Sequence, residues 1–148
     1  MTFWKLQARR LPKDGTGMDL NQVTIPVRDF EEGVAFCSVL GFRQIVHNGD
    51  GRYARFELPS GSTTLSLYED RTACPGDTVL YLEVDDVDRK YADLRAAGLV
   101  FQTAPADQDW RWREAHFVDP TGNRFCPYHA GAEERRFPPW RLNVARDE

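Results

Sequence analysis

An α+β fold built from two βαβββ modules is what the 148-residue sequence predicts, on three observations. A strand with one buried face opens each half, a short capped helix follows each strand, and landmark residues recur at fixed offsets. Val27 to Val84 and Gly41 to Gly98 are each 57 residues apart, while Phe56 to Phe117 and Gly61 to Gly122 are each 61 apart. A short insertion in the second half thus separates two matching registers, with module one over 19–70 and module two over 78–129. Two unrelated α+β segments sharing turn chemistry are the alternative, because Gly and Pro punctuate any globular chain.

The first element is NQVTIPV (21–27), where Val23, Ile25 and Val27 alternate with Gln22, Thr24 and Pro26 in the two-residue period of a half-buried strand. Asp29 and Glu32 then stand at the N-cap and third helical positions, and Phe30, Val34, Phe36 and Cys37 follow. Leu40-Gly41 ends that helix, since glycine takes the left-handed cap. Two strands are expected on either side of HNGDG (47–51), where Asn and Gly tolerate positive φ, and a fourth after Pro59-Ser60-Gly61. The order restarts at residue 78. TVLYLEV is the strand, Asp85 or Asp86 the cap, and Tyr91 and Leu94 lie on a helix ending at Ala97-Gly98. Strands follow around 99–103 and 112–118, and a last one after the turn in FVDPTGNRFCPY (117–128).

Composition limits function. A hydrophobic content of 41% supports one compact core, and a net charge of −4 argues against nucleic acid, which needs a basic face to displace counterions. No run of eighteen apolar residues is present and the first twenty residues lack a signal-peptide core, so a cytoplasmic protein without membrane contact is expected. Cys37, Cys74 and Cys126 are odd in number and lack CxxC spacing, which indicates reduced thiols.

The strand NQVTIPV, the helix end FCSVLGF, LEVDDVD, LRAAGLVF and above all DPTGNRF together resemble the vicinal oxygen chelate superfamily, which includes glyoxalase I, bleomycin-resistance proteins and extradiol dioxygenases. The resemblance covers residues 19 to 129. It implies that the paired modules curl into a cup-shaped, half-open barrel (the glyoxalase/bleomycin resistance fold), forming one domain over 19–130, with an N-terminal extension (1–18) and a C-terminal tail (131–148). It also implies a homodimer and a divalent metal held by one ligand from each of four strands. Carried over, those positions are Gln22, Ser66, Val79 and Cys126. Gln22 agrees with one glyoxalase pattern; Val79 has no donor atom, and Ser66 is a poor ligand beside a carboxylate, so a degraded site is expected. No cofactor is the first expectation, and zinc, nickel, manganese or iron the alternative, through a rearranged set of Gln22, Glu83, His116 and Cys126.

Alternation sorts the strand residues into two faces without help from the family. Val23, Ile25, Ala54, Phe56, Leu65 and Leu67, with Leu80, Leu82, Val84, Ala115, Phe117 and Phe125, should pack on the helices. The opposite face, concave in the cup, takes Gln22, Thr24, Tyr53, Arg55, Glu57, Ser66, Tyr68, Val79, Tyr81, Glu83, Trp112, Glu114, His116, Arg124, Cys126 and Tyr128. Glu83, Glu114 and His116 are the acid-base candidates, with Glu83 and His116 the catalytic pair; Arg55 and Arg124 are expected to pair with these acids. In DQDWRWREAHF, Trp110 and Trp112 lie two apart, entering the seventh strand as an aromatic wall for a planar ligand or as cover for a core edge or dimer contact. The expected ligand set is Gln22, Tyr68, Tyr81, Trp110, Trp112, Arg124 and Tyr128. The favoured role is sequestration of a small organic molecule in the cup; a glyoxalase-type lyase or isomerase, or a metal-free proton-transfer enzyme, is the alternative. Phe137, Trp140 and Leu142 are expected to dock the tail on the domain or on a partner subunit.

Overall fold

A computed structural model describes residues 17–131 together with Trp140 and Leu142. The remainder of the N-terminal extension and of the tail lies outside the described residues; Trp140 and Leu142 are exposed. Module one runs β1 (Gln22–Val27), α1 (Phe30–Val39), β2 (Arg43–Asn48), β3 (Tyr53–Glu57) and β4 (Thr64–Glu69). Module two repeats the order as β5 (Val79–Glu83), α2 (Val87–Ala96), β6 (Phe101–Asp107), β7 (Arg113–Val118) and β8 (Arg124–His129). Each module is a four-stranded sheet, ordered β1-β4-β3-β2 and β5-β8-β7-β6, with the first strand parallel to the fourth and the other pairs antiparallel. No helix among the described residues is long and apolar enough to cross a membrane.

The helix ends follow their chemistry. Asp29 and Asp86 cap α1 and α2, their carboxylates accepting from the Glu32 and Arg89 amides, and Gly41 and Gly98 take positive φ after the last turn. Closing α2 also moves the next strand. Leu99 donates its N–H to Leu94, so residues 99 and 100 belong to the helix exit, and β6 starts at Phe101 and runs to Asp107 rather than over 99–103. Pro105 is tolerated in it because β6 is an edge strand. The seventh strand starts at Arg113, one residue later than expected, because Gln108 donates to the Trp112 carbonyl and Arg111 turns the chain at φ 69°.

The predicted sidedness holds through both sheets. Ile25, Ala54, Phe56, Leu65 and Leu67 of module one share one buried cluster with Leu94, Phe117 and Phe125 of module two. Phe36 on α1 links the two halves, its ring 6.0 Å from Phe117 and 6.1 Å from Phe125. Each Ile, Leu or Phe side chain among them contributes roughly 1.5–3 kcal/mol when fully buried.

The turn between β7 and β8 does more than reverse the chain. Asp119 is buried, and its Oδ1 accepts the backbone N–H groups of Thr121, Gly122 and Asn123 at 3.0, 2.8 and 2.8 Å. Its Oδ2 accepts from the Asn123 side chain at 2.7 Å, and the same amide reaches the Pro26 carbonyl at 2.8 Å. Arg28 completes the join: its guanidinium donates to the carbonyls of Ala73, Pro120 and Thr121 at 3.1, 3.0 and 2.9 Å.

Replacing Asp119 by Ala strands the buried Thr121 and Asn123 N–H groups, while Gly122 keeps the Asp119 carbonyl, and is expected to lower unfolding free energy by about 2 kcal/mol. Urea denaturation of the variant should show the midpoint falling without a change in slope; an unchanged midpoint would mean that the turn forms without the carboxylate.

Candidate functional site

The register that pairs Glu114 with Tyr128 and Phe117 with Phe125 puts His116 of β7 opposite Cys126 of β8. Glu114 and His116, two residues apart on one strand, project from the same face as Cys126. Glu114 is 2% exposed and Cys126 fully buried, an uncommon setting for a carboxylate and a thiol together. The carboxylate is held from two sides: Trp110 Nε1 donates to Oε1 at 2.8 Å, and His116 Nε2 lies 3.1 Å from Oε2. That contact assigns the proton to Nε2, as donor to the carboxylate. The same Nε2 is 3.6 Å from Cys126 Sγ. One ligand atom from each of Glu114, His116 and Cys126 lies within 4.8 Å of the others, a grouping that can hold a metal ion.

An aromatic cluster flanks this group. Trp112 stacks on Tyr128 at 4.7 Å and 27°, and Tyr81 meets both rings edge-on at 6.1 and 5.4 Å. The Trp112 Nε1 atom is buried and has no hydrogen-bond partner among the described residues. Tyr81 and Tyr128 also border a half-open cleft of about 1100 Å³ that runs around the free edge of β5. Its opposite wall comes from module one through Val23, Leu58 and Ser60, and Glu83 and Asp85 stand on its module-two side.

Module one's corresponding face is organised around a phenol. Tyr53 donates to Ser66 Oγ at 2.9 Å and accepts from Arg55 at 2.9 and 3.2 Å and from Gln22 at 3.4 Å. Hydrogen bonding with Ser66, then with Arg55, together with the Arg55 charge, outweighs burial and holds the Tyr53 phenol below its usual range. This arrangement decides the fit of the family's four metal positions. Gln22 is engaged with Thr24 and Tyr53, Ser66 Oγ lies 3.4 Å from the Arg55 guanidinium, and Val79 offers no donor. A fixed cation beside Ser66, an amide already engaged at Gln22 and a hydrocarbon at Val79 do not suit a divalent ion.

The other sequence-predicted residues are placed as follows. Glu83 is exposed at the end of β5 and stands outside the Glu114–His116–Cys126 group; Glu114 is the carboxylate bonded to His116. Tyr68 is 41% exposed on β4. Arg124 is half-exposed and pairs with Asp77 at 3.5 Å, and Arg55 binds Tyr53 and Ser66, so neither arginine pairs with the predicted acids. Trp110 and Trp112 are not one strand wall, because Trp110 belongs to the turn before β7 and is anchored to Glu114 while Trp112 stacks on Tyr128. The alternation pattern placed Tyr53, Arg55 and Glu114 on the right face, but nothing in it marked them as centres of hydrogen bonding.

The burial of two thiols has an electrostatic consequence. Desolvation, reinforced by the Glu114 carboxylate, pushes Cys126 up to about 12, and burial with the Asp119 charge pushes Cys37 up to about 12. Tyr81 is raised by burial and by the neighbouring Glu114 and Cys126. All three cysteines are free, and Cys74 is the exposed one.

Comparison with known proteins was consistent with this geometry. The family model described as "Glyoxalase/Bleomycin resistance protein/Dioxygenase superfamily" matches residues 19–126. The uncharacterized protein YraH of Bacillus subtilis is 30% identical over 122 residues, 72% of this chain and 94% of YraH. A crystal structure of a superfamily member from Sphaerobacter thermophilus superposes with TM-score 0.65 at 26% identity, covering 76% of this chain and 97% of that one. The bleomycin resistance determinant encoded on transposon Tn5 shares the fold with TM-score 0.63 at 23% identity, over 76% of this chain and 98% of its own.

Unfolding returns Cys37 and Cys126 to the ordinary thiol value of 9.0, whereas the folded chain keeps both protonated towards 12. Between these values the unfolded state releases protons first, so the stability that is complete below pH 9 should decline as the pH rises through this window. Urea midpoints at increasing pH should show the decline, and Cys126→Ser should reduce its slope; identical slopes would place the alkaline loss elsewhere.

Proposed function

The chain belongs to the glyoxalase/bleomycin resistance protein/dioxygenase superfamily, and on that footing we propose that it sequesters a small, flat organic molecule on the concave face of module two. The observation that carries this reading is the ring cluster of Tyr81, Tyr128 and Trp112 beside the buried Glu114 carboxylate. Stacked and edge-on rings offer a planar ligand contact area at little cost in side-chain entropy, and the buried Trp112 N–H supplies a donor that gains from meeting an acceptor. Tyr81 is 46% exposed at the cleft, which gives a ligand access to the cluster. Apolar burial provides affinity and the polar groups provide orientation. The fold shared with a bleomycin resistance determinant supports binding as the function, without requiring turnover.

A second reading, proton transfer by His116, is favoured by its 3.1 Å contact with Glu114. The carboxylate accepts from Nε2–H and so fixes the imidazole tautomer, which leaves Nδ1 as the nitrogen able to take a proton. A homodimer in the cytoplasm completes the proposed setting; the exposed apolar Leu20, which lines the cleft, and the exposed Met18 support pairing of two copies. A monomer mass by light scattering would count against it.

Tryptophan fluorescence titrated with bleomycin and with simpler planar heteroaromatic compounds should saturate for at least one of them. Tyr81→Ala should weaken that ligand about tenfold, a loss of ~1.4 kcal/mol, while leaving the melting temperature nearly unchanged. Binding unaffected by Tyr81→Ala would move the ligand off the ring cluster. Turnover abolished by His116→Gln with binding retained would favour the second reading.

A further inference from the structure

The most concentrated chemistry in the molecule is the Glu114, His116 and Cys126 group, which the ligand-binding reading uses only for polarity. Tetrahedral zinc bound at about 2.0–2.1 Å to nitrogen, 2.0–2.2 Å to oxygen and 2.3 Å to sulfur separates its nitrogen and oxygen ligands by about 3.3 Å and its nitrogen and sulfur ligands by about 3.5 Å. The structure has 3.1 Å between His116 Nε2 and Glu114 Oε2, and 3.6 Å between His116 Nε2 and Cys126 Sγ. The third edge, sulfur to carboxylate, closes within 4.8 Å. The first two edges need adjustments of only a few tenths of an ångström, and the third must come to about 3.6 Å, a side-chain movement of at most about 1 Å, to surround one ion.

The surroundings point the same way. Glu114 is buried, and among the described residues its side-chain partners are the His116 ring and the Trp110 indole, with no Lys or Arg paired to it. A buried carboxylate held this way gains from a cation. Trp110 donates to Glu114 Oε1 at 2.8 Å, leaving Oε2 turned to His116, which is the arrangement of an outer hydrogen bond that orients a ligand oxygen. As an ion enters, the Cys126 thiol and the His116 Nε2–H each release a proton to solvent, and the resulting donor set of one thiolate, one imidazole and one carboxylate selects a borderline or soft transition ion over magnesium or calcium.

We propose that Glu114, His116 and Cys126 form a three-ligand site for a zinc-class divalent ion, built on β7 and β8 of module two alone. Only Cys126 is shared with the four-strand positions that Gln22, Ser66 and Val79 leave unsuitable. Three protein ligands leave the fourth tetrahedral position to water or to an oxygen of a bound molecule. The site needs no organic ligand, so its test is independent of binding at the ring cluster.

The experiment uses the full chain, stripped with chelator and titrated with zinc while melting temperature and bound metal are followed. One equivalent is expected to bind and to raise the melting temperature by roughly 5 °C once zinc is about 100-fold above its dissociation constant. Cobalt(II) in its place should give the near-ultraviolet charge-transfer band of a thiolate ligand. That band should vanish in Cys126→Ser and persist in Cys74→Ser. His116→Gln, at a half-exposed position that tolerates change, should weaken zinc at least tenfold, and Trp110→Phe about tenfold through the lost hydrogen bond to Glu114. Absence of binding would overturn the site, and a band that follows Cys74 in place of Cys126, or affinity unchanged in His116→Gln, would overturn it and leave an adventitious surface ion only.

Discussion

The Asp119 carboxylate accepts every backbone N–H that the β7–β8 turn presents to it, and the arrangement of module two follows from that turn. A two-residue period makes sheets sensitive to register, since a slip of one residue moves every side chain to the opposite face. With the turn held, Phe117 and Phe125 stack on the core side, and His116 and Cys126 meet on the other. The same turn carries Asn123 and Thr121 to β1 and Arg28, so one local structure sets the strand register and joins the modules. Its residues are close in sequence, so closing it costs little chain entropy.

The two modules repeat a topology and diverge in their concave chemistry. Module one gathers a guanidinium, a phenol, a hydroxyl and an amide around Tyr53, a set rich in donors with a fixed positive charge. Module two gathers a carboxylate, an imidazole, a thiol and three rings. Any molecule in contact with both faces would meet a donor-rich surface on one side and an acceptor with polarisable rings on the other. The helix-facing positions could not diverge in the same way, because both contribute to one core in which Phe36 of the first module touches the sheet of the second.

Much of this was legible in the residues themselves. Caps at Asp29 and Asp86, glycines at 41 and 98 and the alternation of Ile25 or Phe117 with their neighbours act over a few residues, and they located most elements and the core side of both sheets. The β6 strand was misplaced because Leu99 looks like a strand residue but closes a helix through its N–H, a contact that hydrophobicity does not encode. The site was legible by face and not by partnership. Glu114 and Glu83 look alike in a pattern of alternation; the first is buried in a central part of the sheet and the second lies at an exposed strand end. Trp110 resembled the partner of Trp112 until the turn at Arg111 sent its indole to a carboxylate. Which donor meets which acceptor depends on side-chain torsions and strand ends, and the sequence pattern is silent on both.

Arg28 occupies a position whose offset counterpart in module two is Asp85, and the carbonyls it binds at Pro120 and Thr121 correspond to Pro59 and Ser60 of module one. Asp85, as a carboxylate, cannot donate to those carbonyls as arginine does. Asp85, Pro59 and Ser60 all face the large cleft. The pseudo-twofold relation between the halves is therefore broken at its two ends in opposite senses: one seam is riveted by a guanidinium, and its mate stands open. The large cleft therefore lies at the seam that has no guanidinium across it, between Pro59-Ser60 and Asp85.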